Sequence, residues 1–170
     1  HIDKDGSRPM RGMNLANKLI EKGHKVTLWS TKFNHRLKKQ RDINQNIIKI
    51  SENLEIRLIQ SPGYRHNVSI RRIYDHIILG LNLRKQTKGI HETPDVAFLG
   101  YPPIEINYFM SNFLFKKKIP YLVDVKDQWP DFFVEVTPKL LKIITKVLIL
   151  PFQYCAKKIL LKASGITSMS

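Results

Sequence analysis

The stretch Ile119-Pro120-Tyr121-Leu122-Val123-Asp124-Val125-Lys126-Asp127-Gln128-Trp129-Pro130-Asp131 ends a short apolar run on two carboxylates, a tryptophan and a proline. The run reads as a buried strand, and α/β sheets bind ligands beyond the carboxyl ends of their strands. Asp127, backed by Trp129 and Pro130, has the chemistry to align a hydroxyl for attack or to take its proton. Asp124 lies three residues earlier, so on an ideal strand the two carboxylates face opposite ways and do not form a pair. Asp124 is therefore expected to be structural. The Asp-Val-Lys-Asp spacing also lacks the tight Asp-x-Asp step of a divalent-metal site for a nucleotide diphosphate. His24, His35, His66, His76 and His91 show neither zinc spacing nor cysteine partners, so no metal is expected.

Three further loops carry residues that a plain connection does not need. Asp3 to Arg11 holds Gly6, Ser7, Arg8 and Arg11 before a helix start. N–H groups and the helix dipole there suit an anion, and a simple turn fits equally well. Lys32 to Arg41 contains Phe33-Asn34-His35, Lys38, Lys39 and Arg41; it reads as an anion site or as a solvated basic helix. Ser61 to Ser69, with Tyr64, Arg65, His66 and Asn67, leads to Arg71, Asp75 and His76. A flat apolar ring among directional donors suits a sugar-containing ligand, while a turn followed by an N-cap is the plainer reading.

The elements that must position these loops follow from periodicity. Met13, Leu15, Ala16, Leu19 and Ile20 keep helical spacing up to a stop at Gly23, and Val26 to Thr31 is a β-rich run. Lys32 to Asn53 reads as a polar surface loop with a short helix around Arg36 to Gln40. Leu54 to Ile59 is the next strand, closed by Ser61-Pro62-Gly63. Ser69 caps a helix through Ile73, Ile77, Ile78, Leu81 and Leu83. A strand from Asp95 to Leu99 ended by Gly100, a helix from Ile104 to Phe115 opened by Pro102-Pro103, and the strand Tyr121 to Lys126 come next. An apolar and basic segment, Pro138 to Ala163, then leads to a last strand. The order implies an α/β fold: a doubly wound, mainly parallel Rossmann-like sheet with helices on both faces.

Composition sets the class. At 170 residues, 42% hydrophobic and 25% charged, the chain is one domain by length with an ordinary globular make-up. Its 29 Lys and Arg against 14 Asp and Glu give a net charge of +15, which favours phosphates, acidic lipid surfaces or nucleic acid. The lone Cys155 excludes an intramolecular disulfide and fits a reducing compartment. The most apolar run, Val147 to Ala156, is far shorter than the roughly 18 residues of a membrane span. Lys139, Lys142, Lys146, Lys157, Lys158 and Lys162 occur with no acid from Val136 onward. Such a segment reads as a basic amphipathic helix lying on an anionic membrane, or as a sheet-covering helix with a wet lysine edge.

The order from Arg11 to Thr27, Arg-x-x-x-Leu-Ala-x-x-Leu-x-x-x-Gly-His-x-Val-Thr, resembles the opening of family 4 glycosyltransferases, which have two Rossmann-like domains (the GT-B fold). Phe33-Asn34-His35, Lys39-Gln40-Arg41, Pro62-Gly63-Tyr64, Asn67-x-Ser69, Arg72, Asp75-His76 and Asp127-x-Trp129-Pro130 resemble a subgroup that builds bacterial surface polysaccharides, such as O-antigen or capsule. The resemblance spans nearly the whole chain. It implies an N-terminal acceptor-binding domain of a hexosyltransferase that works with retention and without an essential metal. By the same resemblance, the donor is a nucleotide sugar held by a C-terminal domain, the acceptor is lipid-linked or a polysaccharide, and no other cofactor is needed. The Gly6 loop, with Ser7 and Arg11, then faces donor phosphates and acceptor; Asp127 takes the rim position beside the reacting sugar. The chain shows Gly6 alone where the family has a glycine pair.

His1 without a preceding Met, and an end just after a strand, lead us to expect cuts at both termini, with the donor domain beyond the second and this part alone inactive. The expected setting is cytoplasmic, peripheral on the inner face of a bacterial cell membrane. The expected binding set is His35, Tyr64, Asn67, Arg71 and Trp129 with Gly6, Ser7 and Arg11, and Asp127 as the catalytic carboxylate. Two other classes stay open: a basic nucleic-acid-binding module, which lacks any helix-turn-helix or zinc signature here, and a standalone flavodoxin-like partner-binding domain.

Overall fold

The computed structural model describes residues 11–67, 69–90 and 92–168. They form an α/β protein rich in parallel pairing, in two compact units that divide after Asp75.

In the first unit, helix α1 (Arg11–Glu21) precedes strand β1 (Val26–Thr31), which pairs in parallel with β5 (Leu54–Ile59) from Val26 opposite Leu54 to Thr31 opposite Ile59. Leu54, Ile56 and Leu58, alternate residues of β5, are buried with Ile59 and form the centre of this unit. That alternation is what a strand covered chiefly on one face requires.

The segment expected to be a surface loop with a short helix is built differently. Phe33–Asn34 (β2) pairs antiparallel with Lys39–Gln40 (β3), and Ile47–Ser51 (β4) pairs antiparallel with β5. In place of the helix around Arg36 there is a tight turn, in which the side-chain oxygen of Asn34 accepts the N–H groups of Arg36 and Leu37, at 3.0 and 3.2 Å, as a helix N-cap would. Lys38 completes it with a left-handed backbone, φ 55°. Beyond the polar Asn44 to Asn46, Ile47, Ile48 and Ile50 supply the β-branched side chains that favour a strand.

Helix α2 (Ile70–Thr87) starts as expected, with Ser69 Oγ accepting the Arg72 N–H at 3.2 Å. Its residues through Asp75 belong to the first unit.

The second unit holds an all-parallel sheet in the order β6 (Ala97–Tyr101), β7 (Tyr121–Val125), β8 (Gly165–Ser168). Gly100 does not end β6. The strand continues to Tyr101 and stops where Pro102 and Pro103 bring no N–H to the ladder. Helix α3 (Ile104–Lys116) connects β6 to β7. The short α4 (Phe132–Val136), a 3-10 turn (Lys139–Leu141) and α5 (Lys142–Leu161) connect β7 to β8, with Pro151 inside α5. Leu99, Tyr101, Ile104, Leu114, Tyr121, Val123, Ala156 and Ile159 make one buried cluster. The Tyr121 hydroxyl donates to the Ile159 carbonyl at 2.7 Å, so its polar end is satisfied inside that cluster. Asp124 is fully buried on β7, and the Thr167 hydroxyl of β8 donates to it at 3.0 Å. The structural role expected for Asp124 is therefore the one it has.

Candidate functional site

The first unit brings together two of the loops singled out from sequence, the one after β1 and the one after β5. Phe33 and Tyr64 pack with ring centroids 5.1 Å apart at an interplanar angle of 52°. Both are buried, and each comes from the residues just beyond a strand end. Gln40 Nε2 donates to the Ser61 carbonyl at 2.8 Å, Thr31 Oγ1 and Ser61 Oγ lie 3.2 Å apart, and Arg41 donates to the carbonyls of Thr31 (2.6 Å) and Phe33 (3.0 Å). The Gln40 and Thr31 contacts with Ser61 hold the two loops against each other, and Arg41 ties the first loop to its own main chain.

Gly63 sits at the centre of the cluster. Its φ is +79°, and a Cβ there would fall 2.7 Å from the Phe33 ring, so both conformation and space require glycine. Its N–H donates to buried Asp75 Oδ1 at 2.6 Å, a charge-assisted bond from the first turns of α2.

Around this core runs an open cleft of about 470 Å³ whose walls include Lys38, Tyr64, Arg65, His66, Ser69 and Arg71. Lys38 Nζ stands 4.4 Å from the Tyr64 ring centre and the Arg72 guanidinium 5.7 Å from it. Arg71 lies against Tyr74, 5.6 Å from its ring, with a long 3.4 Å bond to the Gly63 carbonyl. A buried aromatic ring beneath several cations is a chemistry for an anion carried on a flat or ring-shaped ligand. The pKa of His35 is lowered from its ordinary 6.5, first by burial and then by Lys38, Arg41, Arg36 and Arg72. The imidazole thus registers the positive field of the same cluster.

The expected site residues divide as follows. Tyr64 and Arg71 line the cleft, and His35 lies in the turn beside it. Asn67 is occupied in holding its neighbours: its side-chain oxygen accepts from Lys38 and its carbonyl from Arg72 at 2.9 Å. It thereby holds two of the cations beside the cleft. Arg11 opens α1 and is exposed. Gly6 and Ser7 lie outside the described residues.

Asp127 and Trp129 belong to the second unit. Asp127 is exposed, two residues past the end of β7. Trp129 packs edge-on against Phe133, centroids 4.2 Å apart, and its carbonyl accepts the Tyr101 hydroxyl at 2.6 Å. Burial, then Asp131 and Glu105, push the Tyr101 phenol up to about 12, so it stays a donor at any physiological pH. Gln153 of α5 holds Asp131 at 2.6 Å on the other side of the loop. The loop bearing Asp127 is thus tied at Trp129 to the end of β6 and at Asp131 to α5.

Phe33, Lys38 and Asp75 were singled out with their loops but not placed in the expected binding set, and Tyr101 was not singled out at all. Phe33 and Asp75 fall within the matched motif strings, which was the available signal. Tyr101 offered only its place at a strand end before two prolines. Among the described residues, no three His, Cys, Asp or Glu side chains come together as a metal site would need. Comparison of the chain with protein-family models and with curated proteins returns no match.

Proposed function

We propose that the chain is the acceptor-binding half of a family 4 glycosyltransferase of bacterial surface-polysaccharide synthesis. The complete enzyme would transfer a sugar from a nucleotide-sugar donor to a lipid-linked or polysaccharide acceptor, with retention and without a metal. The observation that carries this reading is the interlocked cluster of the first unit. Phe33, Gln40, Arg41, Gly63, Tyr64, Asn67, Arg72 and Asp75, scattered over 43 positions and all within the strings that resemble the family, are joined there by hydrogen bonds and ring contacts. Together they present a cationic, aromatic-floored cleft. Its chemistry fits a phosphorylated saccharide: the ring offers a flat apolar face, and Lys38 and Arg71 offer charge to a phosphate.

Asp127 has the chemistry of the second requirement, a carboxylate at a strand end to orient or deprotonate the acceptor hydroxyl. Its loop is tied down at Trp129 and Asp131, and such anchoring keeps a reacting group in place.

Titration calorimetry with a short-chain isoprenyl diphosphate saccharide, the same saccharide without phosphate, and a single-stranded oligonucleotide tests the reading. The phosphorylated saccharide should bind best, and Lys38→Ala or Arg71→Ala should each weaken it about tenfold to a hundredfold, the range for one charged hydrogen bond. Tighter binding of the oligonucleotide would favour a nucleic-acid module instead, and failure of both saccharides to bind would remove the acceptor role.

A further inference from the structure

Between Lys139 and Leu150 the chain exposes apolar side chains that a helix covering a sheet would bury. Leu140 is 94% exposed, Ile143 77%, Leu148 67% and Val147 61%, while Ile149 is the one buried residue of the twelve. The second half of α5 differs, since its Ala156 and Ile159 enter the buried cluster of the second unit. One helix therefore has an anchored half and an apolar half turned to solvent.

At 100° per residue, Ile143, Val147 and Leu150 form a stripe on the side away from Ile149. Lys142 and Lys146 run along one flank of that stripe, with Lys139 a turn earlier. No acid occurs from Val136 to the end of the chain. An apolar stripe edged by cations alone complements a surface that is anionic outside and hydrocarbon within. No helix of the described residues is long and apolar enough to cross a membrane, so the fitting arrangement is one in which the segment lies in the interface.

We infer that Lys139–Leu150 is a docking surface for an anionic lipid bilayer, with Ile143, Val147 and Leu150 entering the acyl boundary while Lys139, Lys142 and Lys146 meet headgroup phosphates. This stands on exposure and charge, whichever reaction the chain serves.

Flotation of the full chain with phosphatidylglycerol-containing vesicles and with pure phosphatidylcholine vesicles is the test. The chain should float with the anionic vesicles and remain behind with the neutral ones. A triple variant, Lys139→Gln with Lys142→Gln and Lys146→Gln, should partition about a hundredfold less, on the order of fivefold per lysine. Ile143→Ser with Val147→Ser should also lose the anionic vesicles while keeping the parent's circular dichroism and melting temperature, because both side chains are exposed. Ile166→Ser, an exposed residue of β8 outside the stripe, should float like the parent.

Equal flotation with both vesicle types, no flotation, or a lysine variant that floats like the parent would overturn the inference. So would a dimer, seen by sedimentation without lipid, that dissolves in the serine variant and would assign the stripe to a second copy of the chain.

Discussion

The carboxylate of Asp75 accepts the backbone N–H of Gly63 at 2.6 Å, and this buried bond fixes the floor of the first unit's cleft. Tyr64 follows Gly63 directly, so the ring under Lys38 and Arg72 is aimed by a main-chain contact one residue away. Asp75→Ala leaves that N–H buried without its acceptor, at a cost of about 1–3 kcal/mol. Gly63→Ala forces a side chain into the left-handed region, about 1–2 kcal/mol, and drives a methyl into the Phe33 ring. Urea denaturation should show both losses, with Gly63→Ala at least as severe as its backbone cost alone.

Tyr101→Phe removes the donor to the Trp129 carbonyl without changing the ring. Destabilisation of about 1–3 kcal/mol is expected, read from denaturant midpoints. The raised phenol also sets a sign. Between the unfolded value near 10 and the folded value of about 12, the unfolded chain loses the proton first, so stability falls as pH rises through that window. In Tyr101→Phe that part of the alkaline decline should be gone.

His35 gives the opposite slope at lower pH. Its folded pKa lies below 6.5, so its contribution is complete above that value. As pH falls below 6.5 the unfolded chain takes up the proton first and stability declines until the folded imidazole also titrates. Denaturant midpoints from pH 7.5 down to 5 should fall less steeply in His35→Gln. Inorganic phosphate bound near Lys38 and Arg72 would oppose the field that lowers the imidazole, so in NMR titration the His35 pKa should move upward with added phosphate.

Asp127→Asn keeps the loop's size and removes the charge. In the complete enzyme that the proposal implies, transfer should drop by roughly 100- to 10,000-fold, the usual contribution of a general base. Because Asp127 is exposed, the melting temperature should stay close to that of the parent. An unchanged transfer rate in the folded variant would remove Asp127 from the chemistry.

Legibility from sequence followed the physics of each segment. Strands such as Leu54–Ile59 and helices such as Ile104–Lys116 bury enough apolar surface that periodicity betrays them within a residue or two. The Phe33 to Gln40 hairpin was hidden because Asn34 accepts the Arg36 and Leu37 N–H groups as a helix N-cap would, and the left-handed backbone at Lys38 is what turns the chain back. Gly100 misled because glycine marks turns more often than strand interiors, whereas the prolines after Tyr101 are what stop that strand. At the cleft, Tyr64 and Arg71 were readable as residue types out of place in a simple turn. Lys38 and Asn67 were not distinguishable in role, since a positioning hydrogen bond and a ligand contact draw on the same polar atoms.

The buried pairing of Asp124 with Thr167 also specifies how β8 enters its sheet. Thr167 lies opposite Asp124, and Gly165 lies opposite Leu122, where a Cβ would come within 2.8 Å of the leucine side chain. Sliding β8 by one residue would turn the hydroxyl to the other face of the sheet. Sliding it by two would bring either the bare Gly165 to the carboxylate or Thr167 under Leu122, whose side chain would then have to move aside. A polar latch at one position and a missing side chain at the other thus act as a two-point key, admitting this strand in a single alignment although it is only four residues long.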